Sequence, residues 1–142
     1  LISVNKGEDL KPLSKVASGG ELARIMLALK EAITGKGNAE TIIFDEIDSG
    51  VSGKTARKIG YKMRSLSAIG QVMCVTHSAQ IASLADEHLL ISKDGSTGVT
   101  ETSVKSLDRA GRVRELSRIL GGINVTDAQR SAAEDLLNDI DQ

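Results

Sequence analysis

Aromatic side chains are nearly missing from this chain of 142 residues: Phe44 and Tyr61 are the whole set. Any core is therefore aliphatic, and successive nucleic-acid bases have no platform to stack on. Cysteine occurs once, at Cys74 inside an apolar run, which excludes an intrachain disulfide and a multi-cysteine metal site. That usage fits a reducing compartment and makes a cytoplasmic location the default. No apolar stretch approaches the length of a membrane span and none reads as a signal peptide, so no membrane partner is expected. An excess of either charge is lacking too: 18 basic against 19 acidic residues leave a net charge of -1, and any contact with a polyanion must be local.

What is present is a soluble globular composition, 40% hydrophobic and 26% charged, at a length that suits one domain or part of one. The chain opens on Leu1 rather than Met, directly in a strand-like Leu1-Ile2-Ser3-Val4, which suggests a piece of something longer. Pro12 marks an extended connector. Ser18-Gly19-Gly20-Glu21 then reads as a helix start, with Leu22, Ile25, Met26, Leu29 and Ile33 at helical spacing and a stop at Gly35-Lys36-Gly37-Asn38. Thr41-Ile42-Ile43-Phe44 and Gln71-Val72-Met73-Cys74-Val75 are continuous apolar runs, expected as buried parallel strands. Between them Ala56, Ile59, Met63 and Leu66 define the inner face of a second helix. A short helix is expected from about Ser78 to Leu84. Candidate strands from His88 to Lys93 and Val99 to Lys105 follow, joined as a hairpin through Asp94-Gly95-Ser96-Thr97-Gly98. Two helices end the chain, Arg109 to Leu120 and one capped by Thr126 through about Ile140. The pattern predicts an α/β fold, a largely parallel sheet with flanking helices and an antiparallel edge hairpin.

In such sheets ligands bind beyond the carboxyl ends of the strands. Asp45 and Glu46 follow the first apolar run; Thr76 and His77 follow the second. Two adjacent carboxylates at that place suit orienting Mg²⁺ and accepting a proton from an attacking water, although spacing alone equally describes a strand ending in two solvated acids. The two glycines of Ser18-Gly19-Gly20-Glu21 leave amides open at a helix amino end, where an anion could dock; an ordinary capping box reads the same way. Cys74 and His88 read as structural.

Asp48-Ser49-Gly50-Val51-Ser52-Gly53-Lys54-Thr55 ends like a phosphate-cradling loop, but its first glycine is replaced by Asp48. A kinase-like NTPase using Gly53-Lys54-Thr55 is thus one alternative. Lys54, Arg57, Lys58, Lys62 and Arg64 lie in a stretch free of acids from Ser49 to Ala85, either a solvated face or a duplex-backbone contact. A non-catalytic interaction module built on that helix is the other alternative.

Taken in order, Ala17-Ser18-Gly19-Gly20-Glu21, Thr41 to Glu46, the loop from Ile47 to Gly53, and Thr76-His77 resemble the signature, Walker B segment, D-loop and switch histidine of an ABC-type ATPase head. Within that superfamily the resemblance is to the SMC-like DNA repair ATPases of bacteria, in the carboxyl-terminal lobe of the head. It includes Lys11-Pro12-Leu13-Ser14-Lys15, Cys74-Val75-Thr76-His77 and Arg114-Glu115-Leu116-Ser117-Arg118-Ile119-Leu120-Gly121-Gly122, and runs over nearly the whole chain. The resemblance implies ATP and Mg²⁺ as cofactors, with Asp45 holding Mg²⁺, Glu46 polarising water and His77 contacting the γ-phosphate. Ser18, Gly19, Gly20 and Glu21 would act in trans on nucleotide held by the opposite subunit. Asp48, Ser49, Gly50, Val51 and Ser52 would cross the interface of an ATP-bound homodimer. It also implies DNA as a partner of the full-length protein. An upstream amino-terminal lobe would supply the Walker A loop, without which this segment is expected neither to bind ATP tightly nor to hydrolyse it.

Overall fold

A computed structural model describes residues 3, 7, 9–12, 17–33, 41–94 and 100–139. The expected opening strand, apart from Ser3, the helix stop at Gly35 to Asn38, the hairpin connection after Asp94 and Val99 of the strand that follows it lie outside the described residues. The elements run α1 (Gly19–Ala32), β1 (Thr41–Asp45), α2 (Gly53–Ser67), β2 (Gln71–Val75), α3 (Ala79–Ala82), β3 (Leu89–Asp94), β4 (Glu101–Ser106), α4 (Arg109–Gly121) and α5 (Asp127–Asn138).

β1 and β2 pair in parallel from Thr41 opposite Gln71 to Asp45 opposite Val75, so both strands release the chain at the same end. α2 crosses between them and turns Ala56, Ile59, Met63 and Leu66 onto the sheet, where they join Leu27, Phe44, Ile47 and Ile81 in an aliphatic core. β3 and β4 form the antiparallel pair, from Leu89 opposite Ser106 to Asp94 opposite Glu101. α4 and α5 enclose a second cluster with α3, made of Ala79, Ala82, Leu116, Ala133 and Leu137. Thr126 caps α5 in a box with Gln129, and Asp108 caps α4 by accepting from the Gly111 amide at 2.7 Å.

Two expectations need correction. The strands read as buried are covered on one face only: Ile42, Phe44, Val72 and Cys74 face the core, while Ile43 is 65% and Val75 56% exposed. Period-two alternation cannot show in a continuous apolar run, so the sequence hid which face this chain covers. The helix expected from Ser78 to Leu84 is only Ala79–Ala82, with Ser83 and Leu84 in a following turn.

Candidate functional site

α1 begins where Ser18 accepts from the Glu21 amide, while Glu21 Oε2 accepts from the Ser18 amide at 2.8 Å and its hydroxyl at 3.0 Å. Those bonds, the backbone one first, hold the Glu21 carboxyl below its ordinary pKa. Ser18 and Gly19 remain exposed, whereas Gly20 is buried. A methyl placed on Gly20 would lie 2.8 Å from the Glu46 carbonyl oxygen, and one on Gly19 would lie 3.5 Å from Glu46 Oε2. The glycines thus let the helix start press against the residue that leaves β1, which any side chain at Gly20 would prevent.

Asp45 closes β1 and Glu46 follows it in the left-handed region, φ 55°, a conformation that costs a non-glycine residue about 1–3 kcal/mol. The surroundings hold it there. Ile47 is wholly buried, the Ser49 amide donates back to the Glu46 carbonyl at 3.0 Å, and Arg24 Nη1 donates to the carbonyls of Ile47 at 3.1 Å and Ser49 at 3.0 Å. Asp45 and Glu46 stay exposed beyond the strand's carboxyl end.

Asp48 points the other way. Its side chain is 2% exposed, and Oδ2 accepts from Thr76 Oγ1 at 2.6 Å and the His77 amide at 3.1 Å, with His77 Nδ1 at 3.4 Å. The His77 ring is 85% exposed. The loop expected to face a partner is therefore divided: Ser49, Gly50 and Ser52 are exposed, Val51 packs on the core, and Asp48 ties β1's exit to β2's.

The structure brings together Ser18, Gly19, Gly20, Glu46, Asp48 and His77 through one turn, residues 46–49. Sequence reasoning missed Arg24, which anchors that turn. Its signal was an arginine between Gly20 and Leu27 on the inner side of an amphipathic helix, where a cation needs partners. The segment Asp48 to Thr55 is a turn followed by the start of α2. The amides of Ser49 and Val51 are spent inside the turn, and Gly53 faces the Gln80 side chain. Of the basic residues on α2, Arg57 pairs with Asp139 and lies over Tyr61, and Lys62 pairs with Glu31, so part of that face holds neighbouring helices. Burial, then the charges of Asp48 and Asp45, pushes the Cys74 thiol up to about 12, in keeping with its reading as a structural residue.

Among the described residues no cluster of three or more metal-ligating side chains exists. Mg²⁺ takes one or two carboxylates and completes its shell with water and substrate phosphate, and the exposed Asp45 carboxylate at the end of β1 is a group of that kind. No helix among the described residues is long and apolar enough to cross a membrane.

No family profile matches the chain. It is 48% identical over its whole length to a DNA repair protein RecN of Bacillus subtilis, 42% identical over 137 residues to that of Vibrio cholerae and 44% over 137 residues to that of Treponema pallidum. The chain spans about a quarter of the length of these relatives, 25% for the Bacillus protein. Two solved structures share the fold. One comes from work on the ATP-driven dimerization and DNA-stimulated activation of SMC ATPases, with a TM-score of 0.58 and 25% identity over 83% of this chain and 70% of that one. The other is an SMC head bound to the winged-helix domain of ScpA, with a TM-score of 0.53 and 28% identity over 73% of this chain and 31% of that one. An SMC-type head fold and RecN-type sequence from end to end place the chain in the RecN family of SMC-like proteins.

Proposed function

We propose that this segment is the carboxyl-terminal lobe of an ATPase head whose ATP-driven dimerisation controls DNA engagement in double-strand break repair and recombination, in the bacterial cytoplasm at the nucleoid. The observation that carries the proposal is the contact of the Gly19-Gly20 helix start with Glu46. It sets a glycine-bearing helix start, of the kind that can receive a phosphate, beside a carboxylate at the exit of a parallel strand. ATP with Mg²⁺ would supply the phosphoryl group. Asp45 would hold the metal, and Glu46, turned outward by its left-handed backbone, would accept the proton of an attacking water. His77 would meet the terminal phosphate from the neighbouring strand end. Ser18, Gly19 and Gly20 would present the amino end of α1 to nucleotide held by the opposite head, with Ser49 to Ser52 at the interface.

The uncovered sheet face fits this reading. Ile43, Met73 and Val75 are exposed on the strands and Leu22, Met26 and Leu29 on α1, and Leu22, Met26 and Ile43 help line an open apolar trough of about 320 Å³. An apolar surface of this kind marks a docking face, and its occupant would be the upstream lobe carrying the Walker A loop. The segment by itself would then lack nucleotide binding and turnover.

The test is made in the full-length protein. Glu46→Gln should keep ATP binding and lengthen the life of the dimer while slowing hydrolysis by on the order of a hundredfold or more. Ser18→Arg should leave nucleotide binding by the monomer intact and abolish ATP-dependent dimerisation. Normal turnover in the first variant, or normal dimerisation in the second, would contradict the assignment.

A further inference from the structure

Asp48 belongs to the loop whose other exposed members suit an intersubunit contact, yet it is the one acid at this end of the sheet that water and partners cannot reach. With 2% of its side chain exposed, it cannot touch a second subunit from where it stands. Its bonds run inward and laterally, to Thr76 Oγ1 at 2.6 Å and to the His77 amide at 3.1 Å. Thr76 Oγ1 in turn accepts from the Ser78 amide at 3.0 Å, so one carboxylate oxygen organises the backbone over residues 76–78. That oxygen also lies 3.4 Å from His77 Nδ1.

The ring it faces has little else to hold it. An imidazole 85% exposed is not held in one rotamer by packing, and ordering a free side chain costs entropy that some contact must offset. Asp48 supplies that contact. Its own place is fixed from the far side, because the turn it sits on is clamped by Arg24 at the carbonyls of Ile47 and Ser49. The residue two positions earlier on that turn is Glu46, so the same short turn directs one carboxylate to solvent and the other to the histidine. Oδ1 of Asp48 is buried without a hydrogen-bond partner among the described residues, so keeping a carboxylate there carries a desolvation cost that an apolar side chain would not.

We propose that Asp48 is a positioning residue for His77, holding the imidazole and the chain at residues 76–78 in the place where the histidine meets the transferred phosphate, rather than a residue of the subunit interface. The inference rests on the ATPase reading given above. Its reach is the geometry of His77, and nucleotide binding and head association lie outside it.

The experiment uses the full-length protein with steady-state ATP hydrolysis, ATP-analogue-dependent dimerisation by light scattering, and thermal melting for each variant. Asp48→Ala should lower kcat by between about ten- and a hundredfold, with KM and dimerisation unchanged. Asp48→Asn, whose amide oxygen can still accept from Thr76 and the His77 amide, should recover most of the loss. The decisive arm is the double variant. If Asp48 acts through the histidine, Asp48→Ala with His77→Ala is no slower than His77→Ala alone, within about twofold. Losses that multiply instead overturn the inference, as does full turnover of Asp48→Ala or a dimerisation defect in that variant. Should Asp48→Ala fail to fold, Thr76→Val removes a link of the same chain and carries the same comparison. Full activity of His77→Ala would sink the ATPase role of the histidine itself, a result distinct from multiplying losses, which sink only the role of Asp48.

Discussion

Two neighbouring glycines give the sharpest test of how the candidate site is built, because the same substitution should do opposite things at each. Alanine is favoured over glycine in a helix interior by up to about 1 kcal/mol, and by less in the first turn, where these residues sit. At Gly19 the new methyl would stand 3.5 Å from Glu46 Oε2, an ordinary contact with the end of a flexible, exposed side chain. Gly19→Ala should therefore be neutral or slightly stabilising. At Gly20 the methyl would stand 2.8 Å from the Glu46 carbonyl oxygen, 3.0 Å from Ser49 Cβ and 3.1 Å from Arg24 Nη1. Carbon and carbonyl oxygen ordinarily approach no closer than about 3.3 Å, so the overlap is roughly half an ångström against backbone. No rotamer change relieves it. Either α1 lifts or the 46–49 turn gives way, and Glu46 already occupies a costly φ of 55° while Arg24 is bonded to that turn. Overpacking of this kind costs about 1–3 kcal/mol. Set against a propensity gain below 1, Gly20→Ala should destabilise by about 1–2 kcal/mol, a fall in Tm of about 4 °C per kcal/mol. Urea unfolding with an unchanged m-value, alongside melting, measures it. A Gly20→Ala protein as stable as Gly19→Ala would refute the close approach of α1 to the turn.

Two further predictions follow from the same geometry. Arg24→Met keeps the apolar stem but removes the donors to Ile47 and Ser49, leaving two carbonyls unpaired; it should cost about 1–3 kcal/mol in urea unfolding, and a change below about 0.5 would count against the clamp. His88 is held below its ordinary value of 6.5 by burial, then by Arg112, with Glu115 acting in the opposite sense. Its unfolded form takes a proton first on acidification, so its contribution to stability is complete above the ordinary value and is lost as pH falls toward and through the folded value. His88→Asn should accordingly flatten the fall in urea midpoint between about pH 7.5 and about pH 5.5, and an unchanged slope would dismiss the half-buried neutral imidazole.

Some of this was readable residue by residue. Periodicity placed α1 and α2, end signals placed α4 and α5, and the caps Ser18 and Thr126 marked two helix starts where the structure puts them, because caps are local chemistry with a fixed offset. The order of Ser18-Gly19-Gly20, Asp45-Glu46 and Thr76-His77 pointed to one end of a parallel sheet, since parallel strands emerge on the same side. The bare outer face of β1 and β2 was not readable, because a continuous apolar run does not say which side is covered.

By itself the sequence determined the order of the main elements, the placing of Asp45-Glu46 and Thr76-His77 at one end of the sheet, and the family. Only the tertiary structure decided that Asp48 turns inward to Thr76 and His77 while Glu46, two residues earlier, turns out, and that Arg24 clamps the turn between them. The division has a physical cause. Capping and amphipathic periodicity depend on residues a few places apart, whereas the direction of a side chain on a turn is set by partners 23 to 29 positions away in the chain. Those partners meet only when α1, β1 and β2 have packed.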